Sequence, residues 1–327
     1  MGRGPIDLSA ENEEERYMAK ILVTEAIHQA GLQALTQAGH HLVLADRNMD
    51  VIRRELPDCD AIIVRIIELP GQLLEQAKAL KIISKHGVGV DNIDLDYCKR
   101  RGIAVTITPN ANAQSVAEHA FTLMAALAKH LIPVSRKYRT AGFSAKNYAP
   151  GVELTGKTLG VIGAGNIGSR LIHMCRYGFH MRVLAYDPYL SQAPEGAELV
   201  PLDQLLAQAD FVSLHCLLND TTRGMINAQR LSQMKPTAFL INCARGPVVD
   251  EAALLHALQS KTIAGAGLDV TDPEPLAPDS PLFQMGNVIV TPHYAPTTLE
   301  AAIRVSRIAA ENVHSYLSGQ QPEGRLV

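Results

Sequence analysis

Short runs of apolar, often β-branched residues alternate along most of the chain with stretches whose apolar side chains recur at helical spacing. In a parallel sheet the strands are buried on both faces, and the intervening helices cover those faces. The pattern therefore predicts an α/β fold. The strands predicted in the first third of the chain are 20–23, 41–44, 61–64, 81–84 and 103–106.

A second group of alternating elements begins at Thr158, which indicates a second parallel-sheet unit. A chain of 327 residues is long enough for two domains, each with its own core. The predicted strands of this group are 158–162, 181–186, 211–214, 238–241, 263–268 and 288–290, followed by a final helix over about 298–318.

A long helical pattern from Ala113 to Arg136 separates the two groups. Asn112 is the expected N-cap of this helix, and Pro133 is expected to bend or end it. Its apolar face is broad enough to pack against another domain or subunit. The region 141–156 contains Gly and Pro and is predicted to be a connector.

Composition and charge narrow the class of protein. Apolar residues make up 47% and charged residues 19%, as in globular proteins, and a net charge of −3 offers no basic surface for nucleic acid. No apolar run approaches the length of a membrane span. The five cysteines form no CxxC pair, so neither disulfides nor a metal site is expected. We therefore expect a cytoplasmic protein with reduced thiols and no membrane or nucleic-acid partner.

The first 17 residues are polar and acidic, unlike the rest of the chain. They lack the apolar segment of a signal peptide, and Met18 stands shortly before the first predicted strand. We expect residues 1–17 to be a leader or tag before a native start at Met18. The alternative is a disordered N-terminal arm.

A glycine-rich turn follows the predicted strand 158–162 and precedes a helical run from Ser169 to Arg176. A GxGxxG pattern between a strand and a helix is typical of dinucleotide binding. The first glycine allows a tight turn, the second lets a pyrophosphate approach the backbone, and the third lets the helix pack on the strand. The free N–H groups of the helix N-terminus favour an anion. The turn consists of Gly163, Ala164, Gly165, Asn166, Ile167 and Gly168.

Asp187 ends the next predicted strand, at the position where an acidic residue accepts hydrogen bonds from the ribose hydroxyls of NAD. A carboxylate there repels the 2′-phosphate of NADP, and Pro188 and Tyr189 follow in place of an arginine. These residues predict an NAD site rather than an NADP site. A glycine turn with an ordinary solvated aspartate is the alternative.

Arg245 follows an apolar strand, where a polar loop is expected at the carboxyl edge of the sheet. Open α/β sheets bind their ligands at that edge. A guanidinium can hold a carboxylate through two parallel hydrogen bonds and so fix an α-keto acid for attack. A surface arginine in a salt bridge is the alternative for this segment taken alone.

Glu274 and His293 are the remaining candidates for the reaction. Glu274 lies between two prolines in a stiff loop, and His293 stands just past the end of a strand of the buried type. Histidine exchanges a proton near neutral pH, and a carboxylate partner orients its ring. Taken alone, Glu274 would be interpreted as a solvated loop acid.

Taken together, these motifs resemble the D-isomer-specific 2-hydroxyacid dehydrogenases, which include phosphoglycerate dehydrogenase and the glyoxylate/hydroxypyruvate reductases. The resemblance spans nearly everything from Met18 to about residue 318. The segments that carry it are ISKHGVGVDNID (83–94), NANAQSVAE (110–118), GAGNIG (163–168) with Asp187, NCARGPVVDE (242–251), GLDVTDPEP (267–275) and TPHYA (291–295).

The resemblance implies two Rossmann-like or flavodoxin-like parallel-sheet domains with the active site in a cleft between them. The NAD-binding domain would span 112–296, and the substrate domain would combine 18–111 with 297–327. The helix from Ala113 resembles the arm through which the family forms homodimers.

The resemblance also assigns roles within the site. Arg245 would bind the substrate carboxylate, His293 would be the acid/base and Glu274 its partner. The further residues expected to contact substrate or cofactor are Arg65, Val88, Gly89, Asn112, Cys243, Ala244 and Asp269.

The implied reaction is hydride transfer between NAD(H) and a small 2-hydroxy or 2-keto acid such as glyoxylate, hydroxypyruvate or pyruvate. Two departures from the family pattern concern the substrate pocket. Many members carry Ser or Thr after the arginine of the third-strand loop, whereas this chain has Ile66 after Arg65. Tyr294 and Pro296 stand where smaller residues are common, which would narrow the pocket beside the nicotinamide.

Three other functions stay open. D-3-phosphoglycerate dehydrogenase is the first, although the chain ends soon after its last helix without a regulatory extension, and the third-strand loop suits a phosphorylated substrate poorly. Formate dehydrogenase is the second, but its catalytic histidine is expected to pair with Gln rather than with Glu274. An NAD-sensing corepressor is the third, because a fold alone does not fix function.

Overall fold

The computed structural model describes residues 18–327, and the chain forms two compact units. Of the described residues, one unit comprises 18–112 together with Leu299–Val327, and the other is Ala113–Thr298. The leader expected over residues 1–17 lies outside the described residues.

A five-stranded parallel sheet forms the centre of the first unit. Its strands are β1 (Lys20–Val23), β2 (His41–Leu44), β3 (Ala61–Val64), β4 (Ile82–Lys85) and β5 (Ala104–Thr106). The order β2-β1-β3-β4-β5 is that of flavodoxin-like sheets. The connecting helices are α1 (Gln29–Gln37), α2 (Met49–Glu55), α3 (Gly71–Leu74) and α4 (Leu95–Arg101).

The second unit opens with two consecutive helices and continues with a seven-stranded parallel sheet. Its helices are α5 (Ala113–Ala128), α6 (Leu131–Ala141), α7 (Asn166–His173), α8 (Leu202–Gln208), α9 (Ala228–Gln233) and α10 (Glu251–Gln259). Its strands are β6 (Thr158–Ile162), β7 (Arg182–Tyr186), β8 (Glu198–Leu199), β9 (Phe211–Leu214), β10 (Phe239–Asn242), β11 (Gly265–Leu268) and β12 (Val288–Val290). The strand order is β12-β11-β10-β9-β6-β7-β8.

The last helix, α11 (Leu299–Leu317), completes the first unit. Its Ala309 and Val313 are buried in one apolar cluster with residues of β1 and α1. A Cβ atom added to Gly31 of α1 would lie 2.4 Å from the carbonyl oxygen of Ser306, so the two helices meet backbone to backbone. The end of the chain therefore belongs to the same core as its beginning.

The predicted α/β class with two parallel sheets is confirmed. Every strand predicted from the sequence is present with ends within two residues of the prediction. The sequence pattern missed β8, whose two residues are too few to show a period. Short 3-10 turns lie at Leu56–Asp58, Gly142–Asn147, Gly246–Val248 and Pro281–Gln284, and a π turn at Met174–Gly178.

The single helix predicted from Ala113 to Arg136 is wrong, because two helices occupy this stretch. The break falls at His130, whose φ of 50° is left-handed, and Pro133 ends neither helix. Pro133 is the third residue of α6, where a helix needs no N–H donor, so proline is tolerated there. The region 141–156, predicted to be a connector, contains the end of α6 and a 3-10 turn.

The helix after the glycine turn was predicted to begin at Ser169, but it begins at Asn166, inside the motif itself. Over residues 18–327, none of the helices is both long and apolar enough to cross a bilayer.

Candidate active site

Six strands of the second unit reach one edge of the sheet in a single register. Asn242 pairs with Leu214 and with Leu268, and the pairing continues outward through Ile162 to Tyr186 and through Leu268 to Val290. Because all these strands are parallel, the residues that follow each of them gather at the same edge. The chain reverses its direction of travel across the sheet between β6 and β9, and this switch point is where open α/β sheets bind ligands.

The glycine turn sits at this switch point, directly after β6. A Cβ on Gly163, whose φ is 88°, would lie 2.6 Å from the backbone N of Cys216. A Cβ on Gly168 would lie 2.2 Å from the carbonyl oxygen of Gly163. By contrast, apart from the chain neighbours of Gly165 and the nearby backbone of α7, no described residue has a heavy atom within 4 Å of a Cβ on Gly165. Two glycines are thus required by packing, and the third leaves room for a ligand.

The first turn of α7 presents the N–H groups of Asn166 and Ile167 beside that open space. Gly165 is the N-cap of this helix, and because glycine has no side chain, it cannot cap these N–H groups. A pyrophosphate fits such a space, because backbone N–H donors line it and no Cβ atom of residue 165 fills it. The residues of the turn therefore suit a dinucleotide.

Asp187 follows β7 and fixes the glycine turn from the side. Its Oδ2 accepts a hydrogen bond from the N–H of Ala164 at 3.0 Å, and its Oδ1 accepts one from the N–H of Tyr189 at 3.0 Å. Each oxygen retains capacity for a second donor. The carboxylate is thus held beside the turn, while contact with ribose stays a prediction.

His293 and Glu274 meet, as the sequence predicts. The ring Nδ1 of His293 lies 2.7 Å from Oε1 of Glu274, and the two side chains are 44% and 42% exposed. The remaining ring nitrogen, Nε2, is left for a ligand. An accessible imidazole with a carboxylate on Nδ1 is arranged for proton transfer at Nε2.

The loop that carries His293 is held by Asp269, the residue directly after β11. The backbone N–H of His293 donates to the carbonyl oxygen of Asp269 at 2.8 Å. The Asp269 carboxylate accepts hydrogen bonds from the N–H groups of Tyr294 (2.8 Å) and Ala295 (2.9 Å) and from the hydroxyl of Thr291 (2.6 Å). His293 itself has a left-handed φ of 53°, which is unfavourable without such support.

Asp269 is 1% exposed, yet its surroundings favour the ionised carboxylate. Burial raises its pKa, but hydrogen bonds from His119, Thr291 and the amides of Ala295 and Tyr294 outweigh this effect and hold the pKa of Asp269 below its ordinary value. The sequence places Asp269 near the cofactor, which stays a prediction. The contacts that the structure gives for the Asp269 carboxylate are all with other residues of the second unit.

Arg245 follows β10, which pairs with β11 on the side towards the centre of the sheet. The loop is fixed by Asn242, whose amide donates to the carbonyl of Arg245 at 3.0 Å and accepts from the N–H of Ala244 at 3.0 Å. A Cβ on Gly246 would lie 1.9 Å from the carbonyl oxygen of Thr271, so the Arg245 loop packs directly on the loop that leads to Glu274. The half-buried guanidinium also donates to the carbonyl of Ala244 at 2.7 Å.

Cys243 and Ala244, the two residues between β10 and Arg245, are buried. Burial, and secondarily the negative charge of Asp269, raises the pKa of the Cys243 thiol well above its ordinary value. This thiol is therefore a neutral packing group. Asn112 is the last residue before the second unit, and its role stays a prediction.

In the first unit, Arg65 and the segment with Val88 and Gly89 follow the paired strands β3 and β4. They therefore lie at the carboxyl edge of their own sheet. The carboxylate of Glu25 accepts hydrogen bonds from the N–H groups of Arg65, Ile66 and Ile67 at 2.7 to 2.8 Å. The guanidinium of Arg65 donates to the carbonyl of Ala26 at 2.8 Å.

The two loops of this edge are joined by Lys85 and Asn92. The Lys85 ammonium donates to the carbonyl of Arg65 and to Oδ1 of Asn92, and Asn92 donates to the carbonyl of Ile67 at 2.6 Å. Beside them, burial and the charge of Arg65 lower the pKa of His86 to about 4, so this ring is neutral at physiological pH. Neither Glu25 nor Lys85 stands out in the sequence, because each is one polar residue at the end of an apolar strand.

A model of the D-isomer specific 2-hydroxyacid dehydrogenase NAD-binding domain matches residues 121–295. The chain belongs to this family. The resemblance inferred from the motifs is therefore confirmed. Members of the family are NAD-dependent oxidoreductases that act on the CH–OH group of 2-hydroxy acids.

The chain is also similar in sequence and structure to individual members of the dehydrogenase family. D-3-phosphoglycerate dehydrogenase of Synechocystis sp. is 40% identical over 92% of this chain, but the chain spans only 55% of that relative's length. Glyoxylate reductase of Pyrococcus furiosus is 38% identical over 93% of this chain and 94% of its own. The structure of D-lactate dehydrogenase from Aquifex aeolicus with NAD and lactic acid superposes with a TM-score of 0.82, at 34% identity over 92% of this chain and 96% of that one.

Proposed function

We propose that this chain is an NAD-dependent dehydrogenase that interconverts a small 2-keto acid and the corresponding D-2-hydroxy acid. The observation that carries the proposal is the 2.7 Å contact between His293 and Glu274 at the carboxyl edge of the dinucleotide-binding sheet. This contact places an accessible imidazole, paired with a carboxylate, at the same edge of the sheet as the glycine turn. The pairing with Glu274 rather than Gln also argues against formate dehydrogenase.

In the reductive direction, His293 gives a proton from Nε2 to the carbonyl oxygen of the substrate. Glu274 accepts the hydrogen bond from Nδ1, holds the ring in one orientation and stabilises its cationic form before transfer. Bound NADH supplies the hydride for the carbonyl carbon. In the oxidative direction the neutral His293 takes the proton from the hydroxyl group.

Arg245 binds the carboxylate of the keto acid through its guanidinium, which fixes the carbonyl group for attack. The packing of its loop against the loop of Glu274 supports this assignment. Because the protein performs no covalent step itself, its contribution is positioning and fixed charge.

The cofactor we propose is NAD rather than NADP. The carboxylate of Asp187 is fixed at the glycine turn by Ala164 and Tyr189, so it cannot easily turn away from a 2′-phosphate. Like-charge repulsion would then disfavour NADP.

The substrate we propose is unphosphorylated, such as glyoxylate, hydroxypyruvate or pyruvate. Three successive N–H groups of the Arg65 loop, which could otherwise bind a phosphate, are already taken by Glu25. The 40% identity to a D-3-phosphoglycerate dehydrogenase makes 3-phosphohydroxypyruvate the second candidate.

We also propose a homodimer formed through α6 and the 3-10 turn after it. Every side chain of α6 is exposed or half-buried in the single chain, although several are large and apolar. Leu131, Tyr138 and Phe143 are 61%, 60% and 75% exposed. Apolar side chains clustered in this way are typical of subunit interfaces.

The function is tested by following NADH oxidation with glyoxylate, hydroxypyruvate, pyruvate and 3-phosphohydroxypyruvate. We expect turnover with at least one of the first three. Arg245→Ala should lower kcat/KM by more than about a thousandfold, because a charged clamp is lost, and should leave the Kd of NADH within about twofold of wild type.

Arg182→Ala is the control for this experiment, since Arg182 is an exposed arginine paired with Glu198 at the far edge of the same sheet. Undiminished turnover in Arg245→Ala, or an equal loss of NADH binding, would contradict the role of Arg245. Binding of NADH without reduction of any keto acid would favour the corepressor.

For the cofactor, Asp187→Asn should reduce the preference for NADH over NADPH, as a ratio of kcat/KM values, by about tenfold or more, because it removes the negative charge. Asp203→Asn, an exposed acid at the start of α8, should leave the ratio unchanged. A wild-type protein that prefers NADPH, or a ratio insensitive to Asp187→Asn, would refute the assignment.

For the dimer, light scattering on the purified chain should give twice the chain mass of 35.4 kDa. A variant with Leu131→Glu and Tyr138→Glu should shift towards the monomer, because two charges would have to be buried. Leu217→Glu, which alters an even more exposed leucine elsewhere, should not. A monomeric wild type, or a double variant that remains dimeric, would show the interface to be wrong.

A further inference from the structure

A second histidine, His119 of α5, reaches the loop that carries His293. Its Nε2 lies 3.0 Å from the hydroxyl oxygen of Thr291 and 3.4 Å from Oδ1 of Asp269. The side chain is 17% exposed. The reaction proposed above gives His119 no part, and the sequence marks it only as one polar residue within a helical pattern.

The neighbouring hydrogen bonds determine which nitrogen of His119 carries a proton. The hydroxyl of Thr291 has a single hydrogen, and it donates this to Asp269 at 2.6 Å. Asp269 is ionised and can only accept. The oxygen of Thr291 must therefore accept from His119, so Nε2 of His119 bears a hydrogen and donates it towards Thr291 and Asp269.

With His119 in place, the carboxylate of Asp269 is surrounded by four donors: His119, Thr291 and the amides of Tyr294 and Ala295. A carboxylate has about four acceptor positions, so this set fills it. Among these donors, only His119 lies outside the 291–295 loop, in a helix packed against the sheet. His119 thus links the loop and Asp269 to a helix, in addition to the anchoring that Asp269 receives from β11.

The backbone of His293 depends on the same aspartate, because its N–H donates to the carbonyl of Asp269 while its φ is left-handed. A displacement of Asp269 would therefore move His293 in two ways. It would act on the N–H of His293 through the Asp269 carbonyl, and on the two residues after His293 through the Asp269 carboxylate. A misplacement of about 1 Å at a catalytic group can cost a hundredfold in rate.

We propose that His119 is a positioning residue, which through its Nε2–H donor to Thr291 and Asp269 holds the His293 loop in the geometry needed for proton transfer. The proposal rests on the proposed function, since it assumes that His293 is the acid/base. The polar partners of His119 are Thr291 and Asp269, not Arg245 or Glu274. We therefore expect a substitution of His119 to change the rate of the chemical step and not the affinity for the cofactor.

Two variants separate this role from simple packing. His119→Gln can place an amide N–H near the position of Nε2, whereas His119→Phe keeps a ring of similar shape, including its tilted contact with Tyr294, without a donor. We expect His119→Phe to lower kcat about tenfold with the Kd of NADH within about twofold of wild type. His119→Gln should recover most of that loss.

A primary isotope effect distinguishes positioning from general destabilisation. With NADH deuterated at the transferred position, His119→Phe should show a larger effect on kcat than wild type, because the chemical step becomes more rate-limiting. Wild-type kcat in His119→Phe, equal losses in the Gln and Phe variants, or a loss that parallels NADH affinity would each overturn the proposal.

A measurement independent of activity keeps the proposal testable if His119→Phe does not fold. Nitrogen-15 labelling of the histidines should show a protonated Nε2 for His119 in the wild-type protein, identified by its absence in His119→Gln. An Nε2 without hydrogen would refute the donor assignment. If wild type reduced no keto acid while this signal was present, the proposed function would have failed and the hydrogen-bond assignment would stand.

Discussion

The parallel register of the seven-stranded sheet is the constraint on which the site depends. Since six strands end in one row, the pairing of the strands alone brings residues as distant in sequence as Gly163, Asp187, Arg245 and His293 to one edge. The tight packing of loop on loop then sets the finer geometry. Gly246 is the clearest example, because any side chain at this position would strike the carbonyl of Thr271 and push Arg245 away from the loop of Glu274.

Two carboxylates at this edge serve different purposes, and their surroundings decide which. Asp269 is buried and its oxygens are filled by four donors of the same unit, so it is an internal anion that shapes a loop. Glu274 is 42% exposed and holds a single imidazole, and in the proposed reaction it would stabilise the positive charge on that ring. Glu25 in the first unit resembles Asp269. Its buried carboxylate orders the Arg65 loop by accepting hydrogen bonds from three backbone N–H groups.

Much of the site could be predicted because its signals are local. The glycine turn requires glycine for reasons that depend on a few neighbouring atoms, and the strands on either side are continuous apolar runs. The position of Arg245, Glu274 and His293 after successive strands followed from the same periodicity. What could not be predicted depends on tertiary contacts of single residues: His119, Glu25 and Lys85 each look ordinary in sequence. The error at Pro133 has a local cause, since the helix restarts at Leu131 and places the proline in its tolerant first turn.

The most direct test of the account is the substitution Glu274→Gln, which keeps an acceptor for Nδ1 of His293 but removes the negative charge. If the pair transfers the proton, kcat for keto-acid reduction should fall by about tenfold to a hundredfold, while the Kd of NADH stays near the wild-type value. Asp279→Asn, an exposed acid later in the same loop, should change neither quantity. Full turnover in Glu274→Gln would contradict the assignment of the His293–Glu274 pair as the acid/base of the reaction.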